Sequence, residues 1–221
     1  MEWPRIRYNA RMKSVAFIDA ANLFYGGKKL LGWSIDYAKL RQYLREKYRV
    51  ETAYFFGGVE VHRFPFDYLE NETVPIKKLE TYLTDLLREK GKYMTEAKLL
   101  LLDRHLKRVR FYLRLEHFGY RLVLKPVKTY EDEDGNPRRK ANCDVDMAFY
   151  LMRDRDDFER VVILSGDGDF LPVLKFLKKN GKQVIVLARS PRTAKEIKQF
   201  AGDNFRDFEY LRERLKRDEE E

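Results

Sequence analysis

Five short apolar runs alternate with amphipathic helical stretches along this chain, and that rhythm restricts the folds open to it more than any other feature. The runs are Val15–Ile18, Thr52–Phe56, Arg121–Leu124, Val161–Leu164 and Val184–Leu187. Near-continuous apolar strands of this length suit a parallel sheet buried on both faces. Between them, Tyr37–Tyr48 places Leu40, Tyr43, Leu44 and Tyr48 on one helical stripe, and Arg104–His117 does the same with Leu106, Val109 and Leu113. Val145–Met152 and Phe170–Lys179 repeat the pattern. Such stripes are core faces of helices. The spacing therefore predicts an α/β fold, a Rossmann-type three-layer sandwich around a central parallel sheet.

One stretch breaks the rhythm. From about 62 to 103, Phe64-Pro65-Phe66 and Val74-Pro75 interrupt the pattern, and Ile76–Lys90 then reads as a helix with a basic face. This reads as a helical insertion, too short for a good core of its own. Residues 13–217 are thus expected to form a single domain, with 1–12 as an N-terminal extension and 218–221 as an acidic tail. Thr129–Lys140 contains Asp134-Gly135-Asn136-Pro137, a strong turn signal, and reads as an exposed hairpin. Pro191–Arg217 reads as helical.

Composition narrows the function classes. A formal charge of +9 over 221 residues favours polyanions, either nucleic acid or an acidic membrane face. The longest aliphatic run, Val184–Ala188, is far too short to span a bilayer, and the start has no apolar stretch of signal-peptide length. The expectation is a cytoplasmic protein with no membrane partner. A single cysteine, Cys143, excludes an intrachain disulfide and a cysteine-rich zinc site. The three histidines lie far in sequence from the carboxylate motifs.

Those motifs sit where a parallel sheet binds its ligands. Asp19 ends Phe17-Ile18-Asp19, and Asp167 and Asp169 follow the fourth strand in Ser165-Gly166-Asp167-Gly168-Asp169. Ligands of open parallel sheets bind beyond the carboxyl ends of the strands, so neighbouring strands would bring three acids into one cleft. Asp144 and Asp146 open the Val145–Met152 helix, about 200° apart around its axis, and geometry alone does not choose between them. Crowded carboxylates repel, and a hard divalent cation removes the repulsion. For a single Asp, helix capping would be explanation enough. Two acidic motifs at two strand ends, with a third at a helix start, favour a metal site. Asn22 and Ser165 could hydrogen-bond a water or a phosphate there.

Three segments resemble the NYN family, the branch of the PIN-like nuclease superfamily that includes LabA-like proteins: Phe17-Ile18-Asp19-Ala20-Ala21-Asn22, Lys140–Ala148 with its Asp144-Val145-Asp146, and Ser165-Gly166-Asp167-Gly168-Asp169-Phe170-Leu171-Pro172. The resemblance spans about 13–61 and 105–212. It implies a PIN-like strand order, a Mg2+ or Mn2+ site on Asp19, Asp144, Asp167 and Asp169, and cleavage of RNA, with DNA not set aside. It favours Asp144 over Asp146 as the acid that enters the site. The 62–103 segment departs from the compact family pattern, and could reshape substrate access or make the contact of a homodimer.

Around the acids, Lys125, Lys128, Arg138, Arg139 and Lys140 flank the hairpin, and Arg189 and Arg192 follow the fifth strand, where they could hold a phosphate backbone. Phe24, Tyr25 and Trp33 could stack on bases or pack in the core. Gly26-Gly27-Lys28-Lys29 lacks the spacing of a nucleotide phosphate loop. Two further readings compete with a metal-dependent ribonuclease. One is an RNA-binding module of the same fold without catalysis. The other is a Mg2+-dependent phosphohydrolase of a small substrate.

Overall fold

The computed structural model of the chain describes residues 12–24, 32–131 and 137–218. Six parallel strands form the sheet: β1 (Ser14–Asp19), β2 (Val50–Val59), β3 (Tyr120–Pro126), β6 (Arg160–Leu164), β7 (Gln183–Ala188) and β8 (Phe205–Asp207). The order across it is β3-β2-β1-β6-β7-β8. The five apolar runs are the first five of these strands. The sixth, β8, carries no apolar run. It holds the sheet edge by pairing Val186 with Phe205 and Ala188 with Asp207.

Alternation along the strands sorts side chains into two cores, as a pleat with period two requires. Ala16, Ile18, Phe55, Leu164 and Leu187 face one side, with Leu40 and Leu44 of α2 (Tyr37–Tyr48), Leu79 and Leu83 of α3 (Ile76–Lys90) and Leu106 and Val109 of α4 (Glu96–His117). Phe17, Phe56, Ile163 and Val186 face the other, against Met147 and Leu151 of α5 (Asp144–Arg153), Leu174 and Leu177 of α6 (Leu171–Lys179) and Ile197 of α7 (Lys195–Ala201). The molecule is the expected three-layer sandwich.

Two remaining helices are short, α1 (Ala20–Phe24) and α8 (Arg212–Leu215). The stretch read as helical from Pro191 onward is therefore broken: α7 stops at Ala201, Gly202 turns the chain with φ of 52°, and β8 follows before α8. The region around 62–103 supplies α3 and the first turns of α4, and α4 runs without a break through Asp103 to His117. Its Leu79, Leu83 and Leu102 pack in the same core as β1 and β2. The hairpin forms as β4 (Lys128–Glu131) antiparallel to β5 (Pro137–Lys140), while its turn at 134–136 lies outside the described residues. So do the extension to residue 11, the segment around Gly26-Gly27-Lys28-Lys29 with Tyr25, and the last three residues. Trp33 is buried in the core, so it packs rather than stacks on a ligand.

Candidate active site

The strand order reverses between β1 and β6. The chain steps outward through β1, β2 and β3, then returns to lay β6 on the other side of β1. Such a switch point leaves a crevice at the carboxyl ends of the two strands. Ile18 pairs with Leu164, so Asp19 and Ser165 emerge side by side. A cleft of about 1070 Å3 opens there, lined by Asp19, Asn22, Asp144, Gly166 and Asp167, among others.

Asp19 is the buried acid of the group, at 6 % exposure. Its Oδ1 accepts hydrogen bonds from the backbone N–H of Ala21 (2.9 Å) and Asn22 (3.2 Å), which caps α1. Its Oδ2 accepts from Ser165 Oγ at 3.1 Å. Burial pushes its carboxyl above the usual range. The Asn22 amide and Ser165 oppose that rise, and the nearby Asp144 carboxylate adds to it. Capping and site formation are therefore combined in one side chain. The loop after β6 is tied to the same group. Ser165 Oγ accepts from Asp167 N–H at 3.3 Å, and Asn22 Oδ1 accepts from Gly166 N–H at 3.3 Å. Asn22 and Ser165 thus brace the two acidic loops against each other.

Gly166 makes this close approach sterically feasible. A Cβ on it would stand 2.6 Å from Thr193 Oγ1 and 2.9 Å from Thr193 Cα, well inside contact distance. Asp167 caps the turn that follows, its Oδ1 accepting from Asp169 N–H at 3.0 Å. Asp169 itself is exposed and is not among the residues lining the cleft.

The start of α5 separates its two acids. Asp144 lines the cleft, whereas Asp146 accepts a 2.6 Å ion pair from Lys125 Nζ. Lys125 therefore spends its charge beside the site. Lys128 is exposed, with its ammonium 5.9 Å from the ring of Tyr68. Arg138, Arg139 and Lys140 have backbones paired in β5, and their side chains are not among those described. Arg192 lines the cleft, whereas Arg189 is half-buried beside it. Cys143 also lines the cleft, but burial, with Asp146 next in importance, pushes its thiol up to about 12, so it stays protonated at neutral pH.

Two charged lining residues are not marked by the sequence, Glu60 and Arg108. Glu60 directly follows β2, on the same carboxyl edge as Asp19. The pair Gly57-Gly58 reads as the end of that strand, yet β2 runs through it to Val59. Gly58 is needed inside the strand because a Cβ there would lie 2.5 Å from the Ala141 Cβ. A strand carried through to Val59 would have marked Glu60. Arg108 gives no such signal, since it is one of several basic residues on an amphipathic helix.

The donor set can be tested against a divalent cation. Among the described residues no group of three or more His, Cys, Asp or Glu is already gathered as a metal cage. Mg2+ needs less than a cage: it takes one or two carboxylates and keeps several waters. Carboxylate donors lining one cleft, with Asp19 raised partly by Asp144, fit a hard cation of this kind.

Known proteins agree with the architecture. The cyanobacterial Low amplitude and bright protein LabA of Synechococcus elongatus is 22% identical over 207 residues, covering 92% of this chain and 87% of that one. A solved structure of a protein of unknown function from Vibrio parahaemolyticus superposes with a TM-score of 0.55 at 16% identity, covering 87% of this chain and 91% of its own. A bacteriophage T5 flap endonuclease solved with DNA and metal ions reaches a TM-score of only 0.40 at 14% identity, over 81% of this chain and 56% of that one, too slight a likeness to bear on the fold. A model of the NYN domain matches residues 82–209, more than half of the sequence. The chain belongs to the NYN domain family.

Proposed function

We propose that this protein is a metal-dependent nuclease that hydrolyses RNA phosphodiester bonds in the cleft between β1 and β6. The observation that carries the proposal is the lining of that cleft. Asp19, Asp144 and Asp167 come from three separate elements, and Arg108 and Arg192 line the same space. Acids alone would repel a polyanion, and arginines alone would need no acids. Together they suit a phosphodiester held next to a cation. The family's resemblance to PIN-like nucleases points the same way.

Asp19, Asp144 and Asp167 would hold Mg2+ or Mn2+, which supplies an oriented water and offsets charge as the phosphodiester breaks. Ser165 and Asn22 keep Asp19 and the 165–167 loop in register. Arg192 binds a phosphate oxygen of the substrate. Asp146 stays outside the reaction, paired to Lys125. Asp169, exposed and outside the cleft lining, is left out of this ligand set.

The test is cleavage of labelled single-stranded RNA, structured RNA and DNA with Mn2+ or with EDTA. Cleavage by wild type that EDTA stops, and that Asp167→Asn lacks, supports the reading. Tight RNA binding without cleavage under any metal would favour a binding module. Turnover of small phosphate esters alone would favour a phosphohydrolase.

A further inference from the structure

Arg108 of α4 lines the cleft, and that helix offers more than one arginine. The Arg108 guanidinium lies 6.0 Å from the Tyr112 ring centroid, and Tyr112 donates its hydroxyl to Gly58 O at 2.9 Å. Gly58 lines the cleft. One turn toward the helix start is Arg104, exposed and without an ion pair among the described residues. Residues four apart lie on one helix face, about 6 Å along the axis. That rise is close to the separation of successive phosphates in an extended strand. Lys107 and Arg110, off this stripe, are ion-paired with Asp103 (2.7 Å) and Glu80 (3.1 Å). No carboxylate occupies the stripe through Leu101, Arg104, Arg108 and Phe111.

We infer that the Arg104–Arg108 stripe of α4 is a backbone-binding track along which a single strand of RNA leaves the cleft. The inference rests on the nuclease reading above and adds a path to it. The occupant follows from charge: the stripe leads away from a cleft that Arg108 and Arg192 line together with Asp19, Glu60, Asp144 and Asp167, on a chain of net charge +9. It also gives a role to the helical hairpin of α3 and α4, whose apolar face packs on the core while Arg104 and Arg108 stay exposed. Contacts to phosphates carry no sequence information, so a track that holds only the backbone favours no sequence.

The test is binding of a fluorescent single-stranded RNA oligonucleotide in EDTA, where no cleavage interferes, across a series of salt concentrations. Removing one phosphate-binding cation from a complex with a single strand lowers the slope of log K against log salt by about 0.7. Arg104→Ala and Arg108→Ala are each expected to lower it by that amount and to weaken binding several-fold. Arg104→Lys is expected to retain the slope, and Lys47→Ala, an exposed charge on α2, to change neither quantity. A wild-type slope and affinity in Arg104→Ala would overturn the track, as would failure of wild type to bind the oligonucleotide at any salt. Metal-dependent cleavage that Asp167→Asn abolishes, beside an unaffected Arg104→Ala, would leave the nuclease reading standing and remove only the track. The reverse pattern would leave the track and remove the nuclease reading.

Discussion

Asp19 is asked to do two jobs, and substitution can separate them. Replacing it with alanine removes the cap on α1, which accepts from Ala21 and Asn22, at a cost of about 0.5–2 kcal/mol. It also leaves the buried Ser165 hydroxyl without its acceptor, at about 1–3 kcal/mol more. Loss of a buried carboxylate offsets part of this. The net is a destabilisation of about 2–3 kcal/mol, or roughly 4–12 °C in Tm for a domain of this size. Asp19→Asn keeps an acceptor for the α1 amides and a polar partner for Ser165. It also removes the group whose ionisation the fold resists. Because the folded-state carboxyl is raised above its unfolded value, its contribution to stability is fully present below the unfolded carboxylate range. That contribution is lost as pH rises through the folded pKa. Metal-free wild type should therefore lose stability from acid to neutral pH in a way that Asp19→Asn does not. At neutral pH the Asn variant should melt at or above wild type, yet lose cleavage by about a hundredfold or more. Thermal melts in EDTA at several pH values, beside a cleavage assay in Mn2+, read both effects. Wild-type cleavage by Asp19→Asn would make Asp19 a helix cap and nothing else, and its place among the metal ligands would fall.

Other substitutions probe the neighbouring groups. Gly166→Ala forces a Cβ onto Thr193 and should cost about 1–3 kcal/mol in denaturant titration, with activity falling further because the 165–167 loop moves. Asp144→Asn should lose most metal-dependent cleavage, whereas Asp146→Asn, which only frees Lys125, should stay within a few-fold of wild type in kcat/KM. Arg41 is buried and donates to the carbonyls of Gly119 (3.2 Å), Val50 (3.1 Å) and Glu51 (2.8 Å), joining α2 to the starts of β2 and β3. Arg41→Met should destabilise the fold by about 2–5 kcal/mol in thermal melts, with no loss of activity in the fraction that remains folded.

The layers of this fold are legible in the sequence because five strands carry their own apolar signal and the helices between them carry stripes. The sixth strand is not, because Phe205-Arg206-Asp207 gains its place from a sheet edge offered by β7 rather than from its own pattern. Asp19 and Asp167 can be read from strand ends, and the pairing of β1 with β6 supplies the adjacency that the sequence leaves conditional. What distinguishes Asp146 from Asp144 in the structure is its ion pair with Lys125, twenty-one residues away in sequence and invisible to a local pattern. Glu60 is hidden because glycines that usually close a strand here lie within one, kept small by Ala141 and Tyr112. Arg108 is hidden because a basic residue on a surface helix looks the same whether it faces water or a cleft.

Whether Asp19, Asp144 and Asp167 hold a divalent cation is open to direct observation by anomalous diffraction from crystals grown with Mn2+. An anomalous peak is expected in the cleft, with oxygens of at least two of these three carboxylates about 2 Å from it, and it should vanish in crystals of Asp167→Asn. A cleft without a peak at saturating Mn2+, or a peak at the exposed Asp169 alone, would mean that these three acids are not a metal site.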